Sequence, residues 1–168
     1  MQASPCVRSL APGSQIAGSA MSHCAVVLDG YVYEAIFPRV RRMPEADYFL
    51  WLQHRQHVRL ARWGKQLRWY VTEPRTPFTP EEVAAMRAYA DSQLGRHYAL
   101  RGYWSAWPVS GIHCSEFAGN VLAVSGRYES RGRHESPVTV YAKAHSPAVL
   151  PEESPSGSAA ITTGGGYS

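Results

Sequence analysis

Cysteine is scarce in this chain, with three in 168 residues: Cys6, Cys24 and Cys114. An odd number at wide spacing makes a poor disulfide framework and points to a reducing compartment, leaving room for one thiol to be kept for its reactivity. Long apolar runs are missing too. Nothing approaches the ~20 residues that a membrane-spanning helix needs. Met1–Ser22 holds one charge, Arg8, and lacks the basic start and apolar stretch of a secretory signal, so a cytoplasmic location is expected. There is no CxxC or HxxxH spacing, no internal repeat, and no zinc-finger, recognition-helix or ribonucleoprotein pattern. Neither a structural metal nor nucleic-acid binding is expected on these grounds.

What is present is the balance of an ordinary globular domain, 45% hydrophobic and 18% charged, at a length suited to one compact core. The net charge of +4 (17 − 13) is unevenly spread. From Arg39 to Arg75 there are nine Lys/Arg against Glu45, Asp47 and Glu73. This reads first as a solvated basic face, and secondarily as a surface for an anionic partner.

Residues 1–22 read as an irregular segment, 23–144 as the domain, and 145–168, rich in Ser, Pro and Gly, as a disordered tail. Cys24–Leu28 and Tyr31–Ile36 are two β-prone runs joined by Asp29-Gly30, a hairpin signature. Pro44–His54 suggests a short helix. His57–Trp63 alternates apolar and basic residues as a half-buried strand does, and Gln66–Val71 could pair with it. Thr79-Pro-Glu-Glu82 is a helix start with capping-box spacing, Val83, Met86, Ala90 and Leu94 fall on one face, and Gly95 ends the helix. A further helix begins at Cys114, with Phe117, Val121 and Val124 as its apolar stripe. The aromatic segment Tyr98–Trp107 ahead of it is a candidate groove lining.

A thiol attacks a carbonyl well only as thiolate. It needs a helix N-terminus, an imidazole to take its proton, and a group to orient that imidazole. Cys114 stands at a helix start. His23 leads the first hairpin strand and Glu34 lies late in the second, so the turn makes them diagonal neighbours. Whether they share a face depends on the register. Two bland readings stand beside this one. His113 adjoins Cys114, but adjacent side chains at a helix start diverge, and Glu116 reads as a dipole partner. The pairs His23-Cys24 and His113-Cys114 hint at zinc, yet strand alternation would send His23 and Cys24 opposite ways.

The string Ser22-His-Cys-Ala-Val-Val-Leu-Asp-Gly-Tyr-Val-Tyr-Glu-Ala35 resembles the histidine-strand block of the permuted NlpC-type cysteine hydrolases. That group includes the YiiX/YaeF-like proteins and, more distantly, the lecithin:retinol acyltransferase group. Leu94-Gly-Arg-His-Tyr98, His113-Cys-Ser-Glu-Phe117 and Ser136-Pro-Val-Thr-Val-Tyr141 are similar to that family's later blocks. Cys24-Ala25 stands where the family carries a glycine, and Ala99 where it carries Asp. The resemblance covers roughly Ser22 to Tyr141. It implies an α+β, circularly permuted papain-like fold, an antiparallel sheet packed on helices. It also implies Cys114 as nucleophile, His23 as base, Glu34 as the orienting residue and Tyr98 as an oxyanion donor, with no cofactor. The substrates it implies are peptide, isopeptide, peptidoglycan-stem or acyl-lipid bonds. Two alternatives stay open: an acyltransferase or lipid-ester hydrolase on the same scaffold, and an inert binding module that uses the basic face.

Overall fold

A computed structural model of the chain describes residues 23–64, 73–74, 76–99 and 110–145. The Asp-Gly pair folds as its chemistry requires. Asp29 and Gly30 take φ of 49° and 74°, the two-residue turn that right-twisted strands favour. It joins β1 (Val26–Leu28) to β2 (Tyr31–Ile36) in the register Val26↔Tyr33, Val27↔Val32, Leu28↔Tyr31. Strand β3 (Arg39–Pro44) pairs along the whole of β2, from Tyr31↔Pro44 to Ile36↔Arg39. The sheet is therefore three-stranded and antiparallel, with β2 central. Four α-helices accompany it among the described residues: α1 (Glu45–Trp63), α2 (Pro80–Ser92), α3 (Cys114–Ala123) and α4 (Pro137–His145). The architecture is mixed α+β. None of these helices is long and apolar enough to cross a membrane.

The two faces of the sheet bury different partners. Val26, Leu28, Tyr33 and Ala35 meet Val83 and Met86 of α2, Phe117, Val121 and Leu122 of α3, and Val140 of α4. Residues of the opposite parity, Ala25, Val27 and Val32, meet Tyr48 and Leu52 of α1. A sheet covered on both sides explains why Cys24–Leu28 is an unbroken apolar run and not an alternating one. Each of the fully buried side chains Phe117, Met86 and Leu122 contributes about 1.5–3 kcal/mol by leaving water.

Helix α2 starts as its sequence requires. Thr79 Oγ1 accepts from the Glu82 N–H at 3.2 Å, and the Glu82 carboxylate accepts from the Thr79 N–H at 2.7 Å. Val83, Met86 and Ala90 are buried as expected, while Leu94 lies past the helix end and is exposed. The Phe117 and Val121 stripe of α3 is buried too, but Val124, at its C-cap, is exposed.

The strand expected at His57–Trp63 is instead the second half of α1, which runs unbroken from Glu45 to Trp63. No Gly or Pro interrupts that stretch, and Leu, Gln, Arg and Ala favour helix. The first breaker is Gly64, which takes φ 62° and caps the helix back to the Leu60 carbonyl. The alternating pattern misled because Val58, Leu60 and Trp63 are exposed, so their spacing does not report a buried face. Its expected partner, Gln66–Val71, lies outside the described residues. So do residues 1–22, the tail from 146 onward, and the aromatic segment apart from Tyr98 and Ala99.

Candidate active site

Extending the β1–β2 pairing by three residues puts Ala25 opposite Glu34 and His23 opposite Ile36. His23 is thus two positions from the residue facing Glu34 and shares its side of the sheet, which resolves the register question without a bulge. The side chains meet: His23 Nε2 lies 2.7 Å from Glu34 Oε2.

Glu34 is buried on the central strand and is held by two further donors. Arg41, its cross-strand partner, donates from Nε to Oε1 at 2.7 Å. The buried Tyr48 of α1 donates its hydroxyl to Oε2 at 3.1 Å. Arg41 in turn lies over the Trp51 ring, 4.7 Å from its centroid. Burial alone would raise the Glu34 carboxyl pKa, but the His23 bond and the His23 and Arg41 charges outweigh it and hold the group below the usual carboxylate range. The site therefore has a fixed anion on the imidazole's outer nitrogen.

Cys114 occupies the first position of α3, where the helix dipole favours a thiolate. His113 is the N-cap: its Nδ1 accepts from the Glu116 N–H at 3.2 Å, and Nε2 donates to the Arg133 carbonyl at 2.9 Å. These two bonds make His113 the cap of α3, and, against the effect of burial, its proximity to Cys114 raises its pKa. The helix is seated from behind by Gly119, where a Cβ would come within 2.9 Å of the Glu135 side chain. Glu135 is itself fully buried and accepts from the Arg131 N–H and Thr139 Oγ1, both at 2.7 Å, and from Lys143.

The thiol and imidazole are matched. Cys114 is held well below the ordinary thiol range: a bond from the Cys24 thiol is the largest cause, burial pulls the other way, and His113 and His23 add to the lowering. Burial pulls His23 downward, but bonds to Cys114 and Glu34 overcome it and push the imidazole up to about 10. With Nε2 on Glu34, Nδ1 is the nitrogen left for Cys114. Both shifts favour the imidazolium beside the thiolate.

Tyr98 arrives by a separate route. The chain around it bridges to Ile112, the Ile112 N–H bonding the His97 carbonyl at 2.9 Å and the Ala99 N–H the Ile112 carbonyl at 3.2 Å. This close approach needs Gly111: at φ 133°, a Cβ there would stand 2.5 Å from Ala99 Cβ. The bridge brings the Tyr98 hydroxyl to Cys114. Burial first, then the neighbouring Cys114, keeps that hydroxyl protonated, and so a donor.

The structure thus brings His23, Glu34, Cys114 and Tyr98 together. Two neighbours had no marker in the sequence reading of the site, Arg41 and Tyr48, and Cys24 figured there only as half of a possible zinc pair and as a departure from the family's glycine. A recognised β3 would have exposed Arg41 as Glu34's cross-strand partner; Tyr48 carries no local signal. Among the described residues, no group of three or more His, Cys, Asp and Glu is arranged to hold a metal ion.

No protein-family model, curated protein or solved structure matches this chain. The geometry of the site is therefore the ground for its function.

Proposed function

We propose that the protein is a thiol-dependent hydrolase of circularly permuted papain-like type, cleaving an amide bond through a thioester. The observation that carries this reading is His23, bonded on one side to the buried, triply held Glu34 and on the other to Cys114 at the tip of α3. The order along the chain, base, then acid, then nucleophile, is the permuted one, and a helix-borne thiol packed on an antiparallel sheet suits that fold.

In the proposed reaction the Cys114 thiolate attacks the carbonyl carbon. The resulting oxyanion is met by N–H groups in the first turn of α3 and by the Tyr98 hydroxyl. The His23 imidazolium gives its proton to the departing amine as the C–N bond breaks, leaving the acyl thioester. Neutral His23 then takes a proton from water, whose oxygen attacks the thioester, and the acid leaves as the thiolate re-forms. Glu34 does not accept a proton. It orients the ring and stabilises its charged form, as the acid of a triad does. The substrate class we favour is a peptide, isopeptide or peptidoglycan-stem amide.

The test is alkylation of Cys114 by iodoacetamide across pH. A paired thiolate gives a midpoint well below the value of about 8.5 for a free cysteine. A midpoint at that ordinary value would remove the basis for an enzyme. Tyr98→Phe bears on the oxyanion role. Losing one donor of this kind is expected to lower kcat by about 10²-fold, with KM and the melting temperature little changed. An unaltered kcat would reduce Tyr98 to a packing residue.

A further inference from the structure

A second thiol lies against the proposed nucleophile. Cys24 is fully buried and free and lies in the same buried cluster as Cys114, near enough for the two thiols to shift each other's ionisation. Strand parity explains its place. Ala25 faces α1, so Cys24 faces the main core, where the first turn of α3 arrives. His23 escapes the same alternation by standing at the end of the edge strand, with its ring engaging Glu34 on one side and Cys114 on the other.

A thiolate beside a protonated thiol is the pair of groups that peroxide chemistry uses. The thiolate is the form that is oxidised, and a neighbouring thiol condenses with the sulfenic acid that results. We propose that Cys24 and Cys114 are a reversible oxidative modification site, in which Cys24 is the resolving thiol that caps the nucleophile as a disulfide when a hydroperoxide is present. The Cys114 sulfur attacks one peroxide oxygen, the O–O bond breaks, and the second oxygen leaves as hydroxide, which is protonated to water. The Cys24 sulfur then attacks the sulfenic sulfur. Its S–O bond breaks, and the hydroxyl departs as water with the Cys24 proton. Two thiols lose two electrons in all, and hydrogen peroxide becomes two waters. The product needs a sulfur separation of about 2.05 Å, a closure from contact that side-chain rotation at Cys24, outside the β1 ladder, can supply. The cap leaves no thiolate to acylate, and it keeps Cys114 off the irreversible steps of the oxidation ladder.

This rests on Cys114 being the reactive thiolate of the proposed hydrolase, and the two ideas fail separately. The full chain is treated with hydrogen peroxide, then mapped as non-reduced tryptic peptides. Iodoacetamide capture of Cys114 is measured before and after a dithiol reductant. The expected result is a linked Cys24–Cys114 peptide, with capture lost on oxidation and regained on reduction. Cys24→Ser keeps a hydroxyl donor for the thiolate but no second sulfur, so Cys114 is expected to pass to sulfinic and sulfonic acids and capture is not regained. Wild type that over-oxidises like Cys24→Ser, or that links Cys114 to Cys6, would overturn the proposal, as would Cys24→Ser recovering fully. A link that forms in a protein that never acylates would sink the hydrolase reading alone, and acylation without the link would sink this one alone.

Discussion

Cys114→Ala is expected to drive turnover to background, a loss on the order of 10⁴-fold or more, in a protein that still folds. Both halves follow from the same position. The sulfur is the only atom in the site proposed to form a bond to carbon, so nothing left behind can carry the acyl group. Alanine, meanwhile, is the best helix former for the first turn of α3 and leaves the His113 cap untouched, because that cap bonds to the backbone of Glu116 and to the Arg133 carbonyl. The measurement is a screen of electrophilic peptide, ubiquitin-like and lipid-ester probes on wild type and variant, with thermal melting as the control for folding. Covalent capture of Cys114→Ala at the wild-type rate would end the mechanism. The probe that labels wild type also selects among the amide and ester substrate classes.

Glu34→Gln is expected to produce the second large effect, this time on both stability and reactivity. The change keeps the shape of the side chain but removes the charge that His23, Arg41 and Tyr48 share. Breaking a buried ion pair from one side costs about 3–5 kcal/mol. Arg41 keeps a third of its side chain in solvent, which brings the expectation down to roughly 2–4 kcal/mol at pH 7. The sign with pH is set by the depressed carboxyl of Glu34. Its contribution is present above the ordinary carboxyl value of 4.5 and fades as pH falls through the lower folded value. Urea titrations should therefore show the gap between wild type and variant closing in acid. The imidazole also loses its anion, so the Cys114 alkylation midpoint should move upward. A variant as stable as wild type at pH 7, with an unmoved midpoint, would mean that Glu34 is a bystander.

The parts of this architecture written locally were legible in the sequence. Asp29-Gly30 fixes its turn with two residues, Thr79 to Glu82 fix a helix start with four, and Cys114 announces itself by standing where a helix begins. The turn put His23 and Glu34 within diagonal reach across 11 positions, but whether they share a face is decided only by the observed register. What escaped notice depends on contacts that no short window holds. Arg39–Pro44 has a single buried residue, Val40, too little apolar pattern to mark a strand, and Arg41 stayed hidden with it. His57–Trp63 alternated convincingly, but its apolar side chains face solvent, and continuity with the preceding turns decided for helix. Cys24 was assigned the opposite side from His23 by alternation. That assignment describes its own placement, but only the packing of α3 onto that side makes the thiol a neighbour of Cys114.

The two coverings of the sheet divide labour in a way that matters for how such a site could change. The acid that holds the imidazole, Glu34, lies with Arg41, Tyr48 and Trp51 on the α1 side, whereas Cys114 and Tyr98 lie on the other. Among the described residues, the His23 ring at the edge links the two sides. Under the proposed mechanism, changes on the α1 side would then adjust the acidity of the ring without altering the face on which Cys114 and Tyr98 lie.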